Sequence, residues 1–170
     1  EGAIADSSMA VEIHPNNADY RKNRGNAYML IGEVDKAIAD FDQAIALNPR
    51  FLEALAFRGN AHYRKGNHEQ AIADFDRTID ILPDEPANYM NRGIVYAAMG
   101  DFDSALPDFD TAIQLNPQMI QAYRNRAIAR QSLGDVPGAI ADWQTYLDLG
   151  GGEQFGDRAQ VEARLDALRR

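Results

Sequence analysis

Apolar and polar residues follow a helical period along the chain, in segments that turn-forming residues separate. Residues 18–31 and 35–48 each place apolar residues at i, i+3 or i+4 and i+7, and the segments stop at Gly32 and Pro49. This spacing predicts two amphipathic helices joined by a tight turn. The same paired pattern follows at 52–65 with 69–82, at 86–99 with 102–116, and at 120–133 with 136–149. No stretch shows sustained period-two alternation, so we expect no sheet.

The second segment of each pair carries nearly the same sequence. AIADFDQAIALNP begins at residue 37, AIADFDRTIDILP at 71 and ALPDFDTAIQLNP at 105, and the fainter copies AIADSSMAVEIHP and AIADWQTYLDLGG begin at 3 and 139. Each copy begins 34 residues after the previous one. A constant period of this length indicates a repeat architecture, in which stacked units bury a shared core.

These repeats resemble the tetratricopeptide repeat, a helix pair of about 34 residues with small residues where its two helices touch. The resemblance covers residues 3–151. Its small residues are Gly25, Gly59, Gly93 and Ala127 in the first helix and Ala5, Ala37, Ala71, Ala105 and Ala139 in the second, its large aromatics are Phe41, Phe75, Phe109 and Trp143, and its closing prolines are Pro15, Pro49, Pro83 and Pro117. Helices approach to about 8–10 Å only where side chains are small, and an aromatic ring then fills the adjoining groove. The resemblance implies an all-α fold, a right-handed superhelical solenoid of antiparallel helix pairs.

The constant period predicts how the chain is organised. We expect the second helix of an incomplete leading repeat at 1–17, full repeats at 18–51, 52–85, 86–119 and 120–153, and a C-terminal capping helix at 154–170. The last segment places Val161, Leu165 and Leu168 on one side and charged residues on the other, as a terminal solenoid helix requires. The chain opens in mid-repeat and without an initiator Met, which indicates that it is processed or excised from something longer.

Two departures from the repeat pattern stand out. The fourth repeat has Tyr146 where the earlier repeats have Ala44, Thr78 and Ala112, and three glycines at 150–152 replace Asn-Pro. We therefore expect the array to end there. Pro107 lies well inside the predicted second helix of the third repeat, which it should bend or delay.

Four arginines precede the small residue of the first helix, and an aspartate follows each of them at one fixed spacing. The pairs are Arg24 with Asp40, Arg58 with Asp74, Arg92 with Asp108, and Arg126 with Asp142. Such a pair could link the two helices of one repeat or one repeat to the next. We favour a structural role over a ligand role, because ligand positions usually vary between repeats and these do not.

Composition excludes several classes of function. The net charge of −9 disfavours general nucleic-acid binding, which needs clustered Lys and Arg, and attachment to an anionic membrane surface. Without cysteine there are no disulfides or thiolate metal sites. No apolar run approaches the roughly 18–20 residues of a membrane span, and the first residues lack the basic and apolar segments of a signal peptide. The cytoplasm is the default location.

The chain shows no constellation that predicts catalysis, a metal or a cofactor. His62 occupies the place held by Tyr28 and Tyr96, so we expect a packed, hydrogen-bonded core position. His14 and His68 lie near turns, and none of the three has zinc-ligand spacing to another ligand. Acidic residues at helix starts are explained by capping and by the helix dipole. The sequence therefore predicts a protein that is not an enzyme.

With no predicted catalytic, metal or cofactor site, the surface residues are the remaining source of information about function. In the family that this chain resembles, the first helix of each repeat lines the concave side of the solenoid. The residues expected to bind a peptide there are Lys22, Asn23, Asn26, Phe57, Asn60, Arg64, Met90, Asn91, Arg124 and Asn125. Three of the expected groove residues are basic, Lys22, Arg64 and Arg124, and two are acidic, Asp19 and Glu53. The net charge of the groove is therefore expected near +1, although that of the chain is −9.

The asparagines carry the most information about a ligand. Asn23, Asn91 and Asn125 share one position of the repeat, with Asn26 and Asn60 one turn further along. An Asn amide both donates and accepts, so repeated amides could hold an extended peptide backbone. The arrangement resembles the asparagine ladder of O-linked N-acetylglucosamine transferase, interrupted here by Phe57. The alternative is an ordinary solvated Asn.

The carboxylate clamp of heat-shock co-chaperones fits this groove less well. Lys22 and Asn26 match its first pair, but its other positions fall on Phe57, Ala87 and Asn91. Phe57 and Met90 would suit an apolar anchor. Ile94 and Ile128 could serve the same purpose or could pack on their neighbours.

We therefore predict a non-catalytic interaction scaffold or adaptor that binds an extended peptide or a partner's helix in the groove. Lys22, Arg64 and Arg124 would favour an acidic segment or a C-terminal carboxylate, and no cofactor is expected. One alternative is a homo-oligomerising module that uses the unpaired N-terminal helix at 3–13. Another is a regulatory segment of a larger protein.

Overall fold

The computed structural model describes residues 2–170, with the backbone alone for residues 2 and 3. All regular secondary structure in this range is helical, which confirms the predicted all-α class. The helices form two compact units, one ending at Pro83 and the other beginning at Asp84.

The first unit contains five helices. They are α1 (Gly2–Ile13), α2 (Ala18–Leu30), α3 (Val34–Leu47), α4 (Leu52–Lys65) and α5 (His68–Ile81). Each helix packs against the next one, and α2 also contacts α4. Buried Phe41 and Phe51 lie in two neighbouring clusters of its core, together with Leu55 and small alanines.

The second unit repeats this arrangement and adds a C-terminal segment. Its helices are α6 (Pro86–Ala98), α7 (Phe102–Leu115), α8 (Ile120–Ser132), α9 (Val136–Asp148), the short α10 (Gly151–Gln154) and α11 (Arg158–Leu168). Consecutive helices pack together, and α6 also contacts α8. Helix α11 packs on α9, where Val161 and Leu165 are buried against Trp143 and Tyr146. The polar-backed helix expected near the end of the sequence therefore covers the apolar face of α9.

Glycines in the left-handed region end the first helix of each repeat. Gly32, Gly66, Gly100 and Gly134 have φ between 78° and 82°. At Gly66 the backbone N–H donates to the carbonyls of His62 and Tyr63, which have no partner further along the helix. Any other residue would be strained at this φ, so glycine fixes the turn into the second helix.

The small residue of each first helix makes room for an aromatic ring. A β-carbon added at Gly25 would lie 2.6 Å from Phe41 Cε1, and one added at Gly93 would lie 2.7 Å from Phe109 Cε1. Phe41 and Phe109 are fully buried. In the fourth repeat Ala127 and Trp143 share one buried cluster instead. The small and aromatic positions that define the repeat therefore form the contact between its two helices.

Pro107 does not delay its helix. Helix α7 begins at Phe102 and runs without interruption to Leu115, and Pro107 is exposed on its surface. The predicted delay is wrong because Asp101 caps the helix, its side chain accepting from the Ser104 N–H at 3.1 Å. The first turn is therefore fixed before Pro107 is reached.

Each arginine of the repeated pairs forms a bidentate fork with its aspartate, in which two guanidinium N–H groups donate to the two carboxylate oxygens. Arg58 Nε donates to Asp74 Oδ2 at 2.8 Å and Arg58 Nη2 to Asp74 Oδ1 at 2.6 Å. The other three pairs show the same two bonds at 2.6–2.9 Å. All four carboxylates are buried. The fork therefore joins the first helix of a repeat to its second helix, as one of the two alternatives predicted.

Arg58 and Arg126 also reach back to the preceding repeat. Arg58 Nη1 donates to Asp42 Oδ1 at 2.6 Å, and Arg126 Nη1 donates to Asp110 Oδ1 at the same distance. The hydrogen bond to Asp74 raises the pKa of Arg58 against the opposing effect of burial. One guanidinium thus makes the contact within a repeat through the predicted aspartate and a contact between repeats through a second aspartate, which was not predicted.

His62 is half-buried, and its ring makes no hydrogen bond to another described residue. Its Nδ1 is buried and has no partner among the described residues, contrary to the expected hydrogen-bonded position. Burial lowers the pKa of His62 below its ordinary value of 6.5. The unfolded chain therefore takes up this proton at a higher pH than the folded chain does.

This difference predicts a pH-dependent stability. Neutral His62 makes its full contribution to the free energy of unfolding above about pH 6.5. This contribution is lost as the pH falls through the lower pKa of the folded state. We expect His62→Tyr, which supplies the residue of the equivalent positions, to flatten the fall in unfolding free energy between about pH 7 and pH 5 in urea titrations. His62→Gln should flatten it too. An unchanged slope in both variants would contradict the assignment.

Candidate peptide-binding surfaces

The predicted binding residues divide between the two units. Lys22, Asn23 and Asn26 lie on α2 and Phe57, Asn60 and Arg64 on α4, which together form the α2–α4 surface of the first unit. Met90 and Asn91 lie on α6 and Arg124 and Asn125 on α8, which form the α6–α8 surface of the second unit. The structure therefore brings six of the ten together in the first unit and four in the second.

The asparagines of the α2–α4 surface have accessible side-chain amides. Asn23 and Asn26 are exposed, and Asn60 is half-buried. The side-chain amides of these three make no hydrogen bond to any residue in the part of the chain that the structure describes. Each amide can therefore offer a donor and an acceptor without breaking an internal contact.

Lys22 and Arg64, the two cations of the α2–α4 surface, already make contacts within the first unit. Lys22 Nζ lies 4.0 Å from Asp19 Oδ1 and 5.6 Å from the centre of the Phe51 ring. Arg64 Nη1 donates to the Met29 carbonyl at 3.1 Å, near the C-terminal end of α2. Cations suit this helix end because of its exposed carbonyls. Arg64 therefore joins α4 to α2, a role that its place in the repeat did not predict.

Phe57 belongs largely to the core of the first unit. Its ring stacks on Phe41, with centres 5.8 Å apart, and it packs against the cluster of Ala37, Phe41 and Ala61. It is only half-buried, so part of the ring stays accessible. Phe57 therefore supports the surface more than it offers a free anchor.

The α6–α8 surface places two asparagines on helices that touch. Asn91 and Asn125 are half-buried, and their amides have no hydrogen bond to another described residue. Met90, also half-buried, precedes Asn91 on α6. Ile94 and Ile128 instead pack against buried clusters, as one of the two alternatives for them predicted. The two amides are thus the polar groups that this surface offers across adjacent repeats.

Arg124 is held by a segment that the repeat pattern did not include in the site. Its Nε lies 3.7 Å from Asp157 Oδ2, while the Tyr146 hydroxyl donates to Asp157 Oδ1 at 2.7 Å. Burial, assisted by this hydrogen bond, raises the pKa of Tyr146 to about 12. Tyr146 also requires Gly151, where a β-carbon would lie 2.4 Å from Tyr146 Cε2. The departures at Tyr146 and the glycines were the sequence signal for this link.

The described residues hold no group of three His, Asp or Glu side chains that could bind a metal ion. None of the helices in residues 2–170 combines the length and apolar character needed to span a membrane.

Solved structures with the same fold are numerous. The crystal structure of MamA is 25% identical with a TM-score of 0.83, and the match covers 90% of each chain. That of YrrB, described as a TPR protein with an unusual peptide-binding site, is 20% identical with a TM-score of 0.74 over 86% of this chain and 75% of YrrB. A thermophilic TPR protein of Thermus thermophilus is 20% identical with a TM-score of 0.71, covering 97% of this chain and 88% of its own.

Sequence comparison gives a family assignment. No curated protein sequence matches this chain. One family model described as tetratricopeptide repeat matches residues 3–49 and 22–86, and a second such model matches residues 59–122. The matched segments run without a gap from residue 3 to residue 122. This family is generally a non-catalytic protein-interaction fold, and the chain belongs to the tetratricopeptide repeat family.

Proposed function

We propose that this chain is a non-catalytic scaffold that binds an extended peptide or a partner's helix on the α2–α4 and α6–α8 surfaces. The observation that carries the proposal is the set of five repeat-related asparagines whose amides have no internal hydrogen bond. These amides lie at equivalent positions of successive repeats and remain accessible to solvent, so they can bind an external backbone without losing an internal hydrogen bond. The peptide-binding site named for YrrB supports the same use of this fold.

The amides would act on the peptide backbone. A side-chain amide can donate to a backbone carbonyl and accept from a backbone N–H at the same time. On either surface, repeated amides of this kind can hold an extended peptide without recognising its side chains. Selectivity would then come from Lys22, Arg64 and Arg124, which favour an acidic segment or a carboxylate, and from the accessible part of Phe57 and Met90.

The test is the double variant Asn91→Ala/Asn125→Ala. A partner is first identified by affinity capture, and its binding segment is then titrated as a peptide against both proteins by calorimetry. Each lost hydrogen bond is worth about 0.5–1.5 kcal/mol, and the variant loses at least two, so we expect the affinity to fall at least ten-fold.

The matched control is Gln43→Ala/Gln114→Ala. It removes two amides that are exposed on α3 and α7, the second helices of their repeats. We expect this control to bind like the wild type. Equal affinities for the asparagine variant and the control, with unchanged circular dichroism spectra, would refute backbone binding by the asparagines.

Self-assembly through α1 remains an alternative without specific support. In the first unit α1 packs on α2 and buries Val11, while Met9 and Ile13 are 62% and 64% exposed. Single exposed apolar side chains are common on monomeric proteins. A regulatory role within a larger protein likewise has no observation of its own.

A further inference from the structure

Helix α1 has one face that a neighbouring helix covers in every other repeat. Copies of the second-helix sequence begin at residues 3, 37, 71, 105 and 139, so α1 corresponds to α3, α5, α7 and α9. Each of those four helices packs against the first helix that precedes it, whereas α1 packs against α2, which follows it. The positions that would meet a first helix are Asp6, Ser7 and Ala10, and together they are called the α1 face.

The burial of these positions differs between α1 and the other copies. Asp6 is exposed and Ser7 and Ala10 are half-buried, whereas the residues at the same positions of the other four copies are all buried. Those residues are Asp40, Asp74, Asp108 and Asp142 for Asp6, Phe41, Phe75, Phe109 and Trp143 for Ser7, and Ala44, Thr78, Ala112 and Tyr146 for Ala10. The α1 face is therefore accessible in the range 2–170.

Asp6 differs from its counterparts in having no arginine. Arg24 donates two N–H groups to the carboxylate of Asp40, each at 2.7 Å, and the same fork holds the aspartates of the other three repeats. Asp6 makes no hydrogen bond or ion pair with another described residue. An arginine supplied from outside could therefore form this fork on Asp6 without displacing an internal partner.

Ser7 indicates the size of the residue that should accompany such an arginine. In the first repeat the residue after Arg24 is Gly25, and a β-carbon added there would lie 2.6 Å from Phe41 Cε1. Serine is much smaller than phenylalanine, and the Ser7 hydroxyl donates to the Ile4 carbonyl at 3.1 Å. A glycine opposite Ser7 would leave a void, which is costly in a packed contact. A large apolar side chain would fill the same space.

We propose that the α1 face binds an amphipathic helix of a partner protein, in which an arginine is followed directly by a large apolar residue such as leucine. The arginine forms the fork with Asp6, and the apolar side chain packs over Ser7 and Ala10. This site is separate from the α2–α4 and α6–α8 surfaces, and it binds a helix through one charge pair and one apolar contact.

A second copy of this chain fits the α1 face less well. The arginines of its first helices already hold their own aspartates, and the residues after them are small, namely Gly25, Gly59, Gly93 and Ala127. Helix α11 has Arg164 followed by Leu165, but Leu165 is buried against α9. The partner's helix is therefore the occupant that the charge and the available space favour.

The probe is a labelled synthetic peptide of residues 52–65 with the exchange Gly59→Leu, so that Arg58 is followed by leucine. It cannot take the place of α4 itself, because a β-carbon at Gly59 would already lie 3.0 Å from Phe75 Cε1. Fluorescence anisotropy measures its binding to the whole chain. We expect saturable binding with a Kd below about 1 mM. The same peptide with Gly59→Ala has a similar helix propensity and should bind roughly ten-fold more weakly, because it lacks the apolar side chain.

Variants of the chain test the charge pair. Asp6→Asn should weaken binding of the leucine peptide roughly ten-fold and leave binding of an Arg58→Gln version of that peptide unchanged. The matched control is Glu12→Gln, which removes the same charge from α1 at a position that is exposed in all five copies. Because the peptide is basic and the chain acidic, this control also measures non-specific attraction, and we expect it to bind like the wild type.

Four results would overturn the proposal. Three concern the peptide: equal binding by Asp6→Asn and Glu12→Gln, equal binding of the leucine and alanine peptides, and no saturable binding up to about 1 mM. The fourth is a dimer of the chain alone in sedimentation that Asp6→Asn abolishes, which would assign the α1 face to a second copy. The variant Asn91→Ala/Asn125→Ala should bind the leucine peptide normally, so a failure here leaves the proposed function to its own test.

Discussion

Asp74→Ala should lower the free energy of unfolding by up to roughly 3–5 kcal/mol, because it removes the buried carboxylate of a largely buried ion pair. Asp74 is 4% exposed in its side chain and receives two hydrogen bonds from Arg58, which is itself only 19% exposed. Removal of the carboxylate leaves this guanidinium between two helices with Asp42 as its remaining acidic partner. Urea denaturation of the variant and the wild type measures the difference.

The same arginine provides the control. Asp42 also accepts from Arg58, but its side chain is 49% exposed. Solvent screens such a pair, so Asp42→Ala should cost only about 0.2–1 kcal/mol. The double variant Arg58→Met/Asp74→Leu should recover much of the loss, because a buried pair replaced on both sides leaves no unpaired charge. Similar losses for Asp74→Ala and Asp42→Ala would show that burial does not set the value of these pairs.

The Arg–Asp pairs also show how far the sequence could predict the fold. Their spacing repeats in register with the helix pair, so a contact between the two helices could be expected from the sequence alone. Asp42 and Asp110 precede Arg58 and Arg126 by that same spacing, so the contact between repeats was equally visible in the sequence. It was missed because a single acidic partner already accounted for each arginine.

The candidate site was less predictable than the fold. The repeat register placed Asn23, Asn91 and Asn125 on the first helices, and the structure shows them there with open amides. Register alone could not show that Arg64 donates to a carbonyl of α2, because this bond depends on the geometry at one helix end. Nor could it join Arg124 to Asp157, since Asp157 lies beyond the repeats.

Departures from the repeat were the least predictable features, although the sequence displayed all of them. Tyr146 replaces a small residue, and the structure shows that it binds Asp157 and the Gly151 carbonyl. Its hydroxyl reaches a segment with no counterpart in the other repeats. Comparison between repeats therefore identifies where such a residue lies but not what it contacts.

Pro107 gives the clearest case of a departure with a measurable cost. It occupies the position of Ala39, Ala73 and Ala141 in the other repeats, and it is exposed within α7. Proline there has no N–H for the Asp103 carbonyl, and its ring crowds that carbonyl. An exposed side chain contributes little packing in return, so α7 forms in spite of this residue.

We expect Pro107→Ala to raise the free energy of unfolding by roughly 1–3 kcal/mol, up to the difference between proline and alanine in a helix interior. For a chain of this size each kcal/mol moves the melting midpoint by about 2–4 °C, which calorimetry and urea denaturation both resolve. The reciprocal variant Ala73→Pro should destabilise by about 3 kcal/mol or more, since α5 has the same alanine at an exposed position. An unchanged or lower stability of Pro107→Ala would mean that α7 has adapted to proline, and that the strain inferred from its missing N–H is relieved elsewhere in the helix.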